Sequence, residues 1–417
     1  MKFGLFYEHQ IPRPRDKEQW DPDAEHKMMK NALDQIELAD YLGFDYIFQV
    51  EHHFLEEYSH SSAPEVFLAA ASQRTKNIRL GHGITLMPPR YNHPARVAER
   101  IATLDLVSDG RVEFGTGESA SEMELGGFGV RREDKKQMWE EATREVVKMM
   151  TQTPYKGIEG EHFGMPSRNV VPKPLQKPHP PLWVASSRRE TTMVAARLGM
   201  GSLGFAFETP DEAKERADEY FRLVREECYP IGEAINPALA AVTILSCFED
   251  DEEAIAKGME GAQFFAYSLA YYYNPFTGGN HKPGQENIYK DFIEAPEDKR
   301  WGAFGDAFRG FGGFSGGAAK EEPEDEVTRA LWRAAQRGGC IGSPDFVKDT
   351  LRKYEDSHLD LMIFVAQCGA RSHEDVMDSI YRTGTKVIPE FKERHEKHQQ
   401  WRAEQLAGVE HEINSTI

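Results

Sequence analysis

Ile78-Arg79-Leu80-Gly81-His82-Gly83-Ile84-Thr85-Leu86-Met87 is the stretch that decides how this chain folds. Its apolar and β-branched residues run almost continuously instead of alternating with polar ones. A strand with one wet face alternates, whereas a parallel strand covered on both faces does not. Seven runs of the same kind flank it: Phe3–Tyr7, Tyr46–Val50, Val112–Gly115, Leu182–Ala185, Gly201–Phe205, Ala240–Phe248 and Leu361–Val365. Helical signals separate them. Asn31–Leu42 carries Leu33, Ile36 and Ala39 at helical spacing and stops at Gly43, a residue suited to a left-handed C-cap. Pro94 opens a helix, Lys135–Met150 is a charged amphipathic one, and Thr191–Leu198 ends at Gly199. Thr209-Pro210-Asp211-Glu212, Ser343-Pro344-Asp345 and Ser372-His373-Glu374-Asp375 each place a capping hydroxyl before first-turn acids. Strands alternating with helices give either a doubly wound sheet or a closed barrel. Eight of them favour the α/β fold of a (β/α)8 TIM barrel.

The chain has 417 residues, against roughly 250 for an undecorated barrel. Residues 1–395 are therefore expected to form one barrel. A large insertion, 264–340, lies between strand seven and the last helix-strand pair. Residues 396–417 are expected to be a charged surface tail with a frayed end. The insertion holds Phe264-Phe265-Ala266-Tyr267, Tyr271-Tyr272-Tyr273-Asn274-Pro275-Phe276, and a stretch Trp301–Gly317 with seven glycines and four phenylalanines. Such a segment suits an active-site lid, or a loop packed against the barrel's outside.

Composition narrows the function. Fifty Lys and Arg stand against 69 Asp and Glu, a net charge of −19. Polyanions such as nucleic acid or an acidic membrane would be repelled. No apolar run reaches the length of a membrane span, and no secretory leader pattern opens the chain. The four cysteines, Cys228, Cys247, Cys340 and Cys368, form no CxxC pair. The expectation is a soluble cytoplasmic protein with reduced thiols.

Barrel chemistry gathers where strands end. Tyr7-Glu8-His9 follows the first strand and Glu51-His52-His53-Phe54 the second. His52 suits a general acid or base near neutral pH, and Glu51 suits a hydrogen-bond acceptor beside it. Metal ligation with His60, His82 and His93 is a weaker reading, because no HExxH or HxH stands at a strand end. Gly115-Thr116-Gly117 stops short of a dinucleotide fingerprint and better suits close approach of backbone to a flat ligand. Ser186-Ser187-Arg188, leading into a helix near Thr191, could hold an anion through hydroxyls, backbone N–H groups and a cation.

Together these motifs resemble the bacterial luciferase-like flavin monooxygenases. Lys2-Phe3-Gly4-Leu5-Phe6 is similar to that family's first strand, and Glu51-His52-His53-Phe54 matches its EHHF motif letter for letter. Ile78–Pro88 is similar to its third strand. His93-Pro94-Ala95-Arg96, Leu104–Arg111, Pro181–Ser187 and Ala195–Gly199 follow in the family's order. The likeness covers residues 1–210 well and 340–395 loosely.

The resemblance implies reduced FMN at the barrel mouth, supplied by a separate NAD(P)H:flavin reductase. Oxygen would add to give a C4a-hydroperoxide, from which one atom passes to a small organic substrate, apolar or aromatic. It implies His52 as the acid/base residue and Glu51 as a flavin-pocket carboxylate that orients the flavin or His52. It places a non-proline cis peptide at Gly83-Ile84, phosphate contacts at Ser187, Arg188, Thr191 and Lys136, beside the Ser186 of the anion site already read, and an aromatic contact at Phe6. No metal and no nucleic acid or membrane partner is expected, and a homodimer is. Two positions depart from the luciferases: Gly117 stands where they have a cysteine, and Glu118 where they have a phosphate-binding arginine. Gly117 would leave more room above the flavin ring, and the phosphate would lean on Arg188 or Lys136. Three rivals remain: a deazaflavin (F420)-dependent oxidoreductase on the same barrel, a non-catalytic flavin-binding protein, and a metal-dependent barrel hydrolase.

Overall fold

The computed structural model describes residues 1–16, 19–186, 188–206, 210–273, 282–296 and 339–417. Twelve strands are described within them. β1 (Lys2–Tyr7), β2 (Tyr46–Gln49), β3 (Arg79–His82), β4 (Thr85–Leu86) and β5 (Val112–Gly117) come first. β6 (Tyr155–Glu159), β7 (Gly164–Arg168), β8 (Leu182–Ala185) and β9 (Gly201–Phe205) follow. β10 (Leu239–Cys247), β11 (Cys340–Gly342) and β12 (Leu361–Val365) complete the set. Eight of them close a parallel barrel in the order β1-β2-β3-β5-β8-β9-β10-β12, and β12 pairs back onto β1 from Lys2↔Leu361 to Leu5↔Phe364.

The near-continuous apolar runs have the physical cause expected of them. Leu5, Ile47, Leu80 and Met362 face the helices, while Phe6, Phe48, Trp183 and Ile363 fill the barrel's inside. Both faces of each strand are therefore dry. The deciding stretch is not one strand, however. It breaks at Gly83-Ile84 into β3 and β4, and β4 continues alongside β5 with Thr85↔Thr116 and Leu86↔Gly117. Two pieces were not read from the sequence: the antiparallel β6–β7 hairpin, and β11, which extends the sheet beside β10.

The helices that shape the mouth are α1 (Ala24–Leu42), α2 (Pro64–Ser72), α3 (Pro94–Val107), α4 (Glu122–Phe128), α5 (Lys135–Thr151) and α6 (Arg189–Arg197). After them come α7 (Pro210–Glu226), α8 (Asp251–Tyr273) and α9 (Ile288–Glu294). The first aromatic groups of the expected insertion are thus not loop. Phe264 to Tyr273 ride on the last turns of the 23-residue α8, because Phe264, Phe265 and Leu269 bury against the barrel's inner cluster. The Trp301–Gly317 stretch lies outside the described residues, and with it the larger part of the lid expectation. Among the described residues no helix is long and apolar enough to cross a membrane.

The tail corrects another expectation. Beyond α10 (Pro344–Asp356), α11 (His373–Arg382) and α12 (Ile388–Glu393) runs α13 (His395–Gln405), which is anchored instead of frayed. His398 and Arg402 reach the fully buried Asp360 Oδ1 at 2.8 and 2.5 Å. Ile413 bridges to Ile235, and Thr416 bonds Tyr46, Lys2 and Glu113 beneath the barrel. Polar groups at the barrel's closed end need partners once buried, and the tail supplies them.

Candidate active site

A cavity of about 320 Å³ opens at the C-terminal ends of the barrel strands. That is within the usual range for a small-molecule site. Phe6, Val50, Ile84, Leu86, Val184 and Leu203 give it apolar walls. Of the residues singled out from the sequence, Phe6, His52, Gly83, Ile84, Gly117, Lys136, Ser186 and Thr191 line it. Ser187 lies outside the described residues. Glu51 and Arg188 do not line the cavity.

Glu51 has another task. Its Oε2 accepts from Leu86 N at 2.8 Å, and its Oε1 from Asn92 Nδ2 at 2.7 Å. His53 Nε2 stands 3.2 Å from the same Oε1. The carboxylate's hydrogen bonds pin β4 in place, and among the described residues it acts on His52 through its charge and not through a hydrogen bond. The cis peptide is corrected. The cis bonds among the described residues are Thr153-Pro154, Val171-Pro172 and Lys177-Pro178, so Gly83-Ile84 is trans. Gly83 N donates to Gln49 O at 2.7 Å and Ile84 O accepts from Glu51 N at 3.1 Å, which carries the chain past the end of β2. The room expected above Gly117 is also taken: a Cβ there would stand 2.4 Å from Ile84 Cδ1.

The cationic side of the cavity is built from two helix starts. Lys135 and Lys136 open α5, and Thr191 lies in the first turn of α6. Lys135 Nζ pairs with Glu118 Oε1 at 2.9 Å and bonds Ser119 O at 2.6 Å. The acid at position 118 is thereby paired within the chain. Lys136 and Arg188 are exposed, and no ion pair engages either among the described residues. Helix starts carry unpaired N–H groups and partial positive charge, so this region favours an anion.

His52 sits between two buried carboxylates. Its Nδ1 is 2.9 Å from Glu124 Oε1, and its Nε2 is 3.6 Å from Glu8 Oε2 and 3.3 Å from the Tyr273 hydroxyl. Burial alone would lower the imidazole, but the charges of Glu124 and Glu8 outweigh it and lift His52 to about 9. Burial lifts Glu8 to about 7 against the opposing pull of His52 and the Tyr58 hydroxyl. Glu124 goes the other way: burial would raise it, but His52, Ser119 and the His53 backbone N–H bring it below the usual carboxylate range. A histidine raised to about 9, a carboxyl group lifted to about 7 and a carboxylate held below its usual range thus meet at one point.

Sequence reasoning passed over four of these groups. Glu8 stood at a strand end but in no motif. Glu124 is signalled only by its place in the first turn after the Ser121 N-cap. Tyr58 comes from a loop that nothing local in the sequence marks, while Tyr273, at the end of α8, was named only within the aromatic stretch that suits a lid or outside packing.

The luciferase-like monooxygenase profile matches residues 1–361. The chain belongs to the luciferase-like monooxygenase family. The oxygenase component of a flavin-dependent trigonelline monooxygenase from Acinetobacter baylyi is 26% identical over 400 residues, spanning 94% of this chain and 96% of that protein. Limonene 1,2-monooxygenase from Rhodococcus erythropolis is 37% identical over 270 residues, 63% of this chain and 66% of that protein. Against y4wF, an uncharacterized protein of Sinorhizobium fredii that is 34% identical, the chain spans about half of the relative's length, 51%. Among solved structures, the monooxygenase RslO1 of Streptomyces bottropensis superposes with a TM-score of 0.68 at 22% identity, over 94% of this chain and 100% of that one. The FMN complex of the oxygenating constituent of 3,6-diketocamphane monooxygenase from Pseudomonas putida gives 0.65 at 19%, over 93% and 98%. The F420-dependent tetrahydromethanopterin reductase of Methanopyrus kandleri gives 0.60 at 20%, over 94% and 99%. These three likenesses concern the barrel fold.

Proposed function

We propose that this family member is the oxygenating component of a two-component flavin monooxygenase, which uses reduced FMN and O2 to oxygenate a small organic substrate. The observation that carries the reading is one cavity in which an apolar slot, a cation-bearing pair of helix starts and a histidine set between two buried carboxylates meet. The residues fit FMN. Phe6, Ile84 and Val184 offer apolar surface to a flat ring, and Gly83 lets Phe48 and Phe6 pack close behind that wall, since a Cβ there would stand 3.0 and 3.1 Å from them. Ser186, Thr191 and the start of α6 suit a phosphate, with Lys136 and Arg188 within the same end of the barrel.

Bound there, reduced FMN would supply the electrons for inserting one atom of O2 into the substrate. The chain's own residues would do the rest. The start of α6 and Lys136 hold the phosphate by charge and hydrogen bonds. The apolar walls keep water from the reacting atoms. His52 holds a proton at Nε2, facing the cavity, for the oxygen that leaves as water. The reductase is a separate protein in this proposal, which also includes a cytoplasmic homodimer, and solution mass tests the latter.

The test supplies reduced FMN from an NAD(P)H:flavin reductase under ¹⁸O2 with a panel of small aromatic and terpenoid substrates. One ¹⁸O atom in a product supports the reading. Turnover under argon with reduced F420, and no labelled product with FMN, would place the protein with hydride-transfer enzymes of this fold. Tight binding of FMN with no product from any donor would leave it a flavin-binding protein.

A further inference from the structure

Glu51 was expected to orient the flavin or His52, and its hydrogen bonds go to Leu86 N and Asn92 Nδ2. Two other carboxylates have the geometry. Glu124 is wholly buried, and each of its oxygens is already engaged. Oε1 accepts from the His53 backbone N–H at 3.0 Å and meets His52 Nδ1 at 2.9 Å, while Oε2 accepts from Ser119 Oγ at 2.6 Å. Ser119 itself takes a positive φ of 65°, which turns its hydroxyl towards both Glu124 and the Ser121 N–H. So many donors leave Glu124 no freedom to rotate and keep it ionised. It can accept a hydrogen bond from His52 only if Nδ1 carries a proton, which fixes the tautomer.

The opposite ring nitrogen faces Glu8. Glu8 Oε1 accepts from the Tyr58 hydroxyl at 2.9 Å. Glu8 Oε2 is buried and has no hydrogen-bond partner among the described residues, though it lies 3.6 Å from His52 Nε2. Leaving an ionised oxygen so placed is costly unless a positive charge or a proton lies beside it. The groups facing the ring are thus Glu8 at the end of β1, Glu51 in the loop after β2, Glu124 on α4, Tyr58, and Tyr273 at the end of α8. The three carboxylates all act to retain the ring's proton, and the buried phenols add no charge.

We propose that Glu124 and Glu8 are positioning residues for His52: Glu124 fixes its Nδ1–H and its charge, and Glu8 keeps a second proton beside Nε2. The proposal rests on the monooxygenase reading for its use in turnover, but not for its existence. When Nε2–H gives up its proton to an oxygen leaving group in the cavity, the ring becomes neutral and keeps Nδ1–H on Glu124. A proton from the Glu8 carboxyl, or from water when Glu8 is ionised, then restores the imidazolium. Glu124 never gives up or takes a proton.

The experiment follows the ring nitrogens of His52 by NMR in the full chain labelled with ¹⁵N-histidine and carrying no added ligand, with His52→Asn to assign the signals. Native His52 is expected to titrate above pH 8 with Nδ1 protonated throughout. Glu124→Gln is expected to bring that titration down by about 1 to 2 pH units, while Glu124→Asp keeps most of it. Glu8→Gln lowers it by less and leaves the tautomer unchanged. With a turned-over substrate, the alkaline limb of the rate profile moves by the same amount in each variant. A folded Glu124→Gln protein whose His52 titrates where the native one does overturns the proposal, as does a native His52 that titrates near 6.5. A shifted His52 in a protein that makes no oxygenated product overturns the monooxygenase reading and leaves this one standing.

Discussion

Two glycines in β5 provide a sharp test of how the mouth is held open, because a methyl group added at each meets a different kind of neighbour. At Gly115 the new Cβ would stand 1.9 Å from the His82 carbonyl oxygen and 3.1 Å from its carbon. Ordinary close contact between carbon and carbonyl oxygen begins near 3.3 Å, so β3 and β5 must part by about 1.4 Å. No rotamer relieves a clash with backbone. The β3–β5 pairing of Leu80↔Val112 and Gly81↔Glu113 lies directly beneath and would be strained. Gly115→Ala is therefore expected to cost at least about 3 kcal/mol, the upper end for overpacking. At Gly117 the new Cβ meets Ile84 Cδ1 at 2.4 Å and Cγ1 at 2.7 Å, the far end of a side chain that can turn. Gly117→Ala should cost only about 1 kcal/mol. Ile84 then swings into the cavity, so flavin affinity falls more than stability does. Urea unfolding followed by tryptophan fluorescence reads the first quantity, and flavin quenching the second. Trp183, paired across from Gly115, and Trp139 report on this region directly. A Gly115→Ala protein within about 0.5 kcal/mol of the native one, which is the ordinary scatter of surface substitutions, would refute the close approach of these strands.

His52→Ala is expected to keep flavin binding and to lose about 10²- to 10⁴-fold in oxygenation rate, the usual weight of a positioned acid; full turnover in such a variant would remove His52 from the mechanism. Because His52 is raised to about 9, the native rate should hold through neutrality and fall as pH passes about 9, when the donor proton is lost. Lys136→Ala and Arg188→Ala should each weaken FMN binding by roughly ten- to a hundredfold, the worth of one charge-assisted hydrogen bond, with less salt dependence than the native protein; riboflavin affinity, measured by the same quenching, should not change. Asp360→Asn removes the charge between His398 and Arg402 and should cost about 3 to 5 kcal/mol at pH 7 by leaving Arg402 buried without its partner. Burial would raise Asp360, but Arg402 and His398 hold it below the ordinary carboxylate range, so its stabilisation is complete above about pH 4 and is lost as pH falls through the lower native value. Urea midpoints of the two proteins should therefore differ at neutral pH and converge in acid.

Much of the fold was legible because burial on both faces leaves a local trace. Runs such as Leu361–Val365 announce strands whatever their partners are, and the capping serines of α10 and α11 behave as their sequences suggest. The break at Gly83-Ile84 was not legible, since it depends on Glu51 and Asn92 pinning β4 from elsewhere in the chain. Nor was the anchored tail, because a charged helix looks the same whether its histidine and arginine face water or a buried Asp360. The site divides in the same way. His52 could be found from its place after β2. Glu124, 72 positions further on, could not be paired with it by any local pattern.

The amino-acid order alone determined that eight dry strands alternate with helices, that chemistry should gather after them, and that His52 is a candidate for it. These follow from periodicity and from the rule that barrels place their chemistry at strand ends. Which carboxylate charges that histidine was decided only by the tertiary structure. Glu8, Glu51 and Glu124 are equally acidic as letters, and closing the barrel turns one of them to β4 and the other two to the imidazole. Electrostatic strength depends on distance and on exclusion of water, and both exist only once the mouth is assembled.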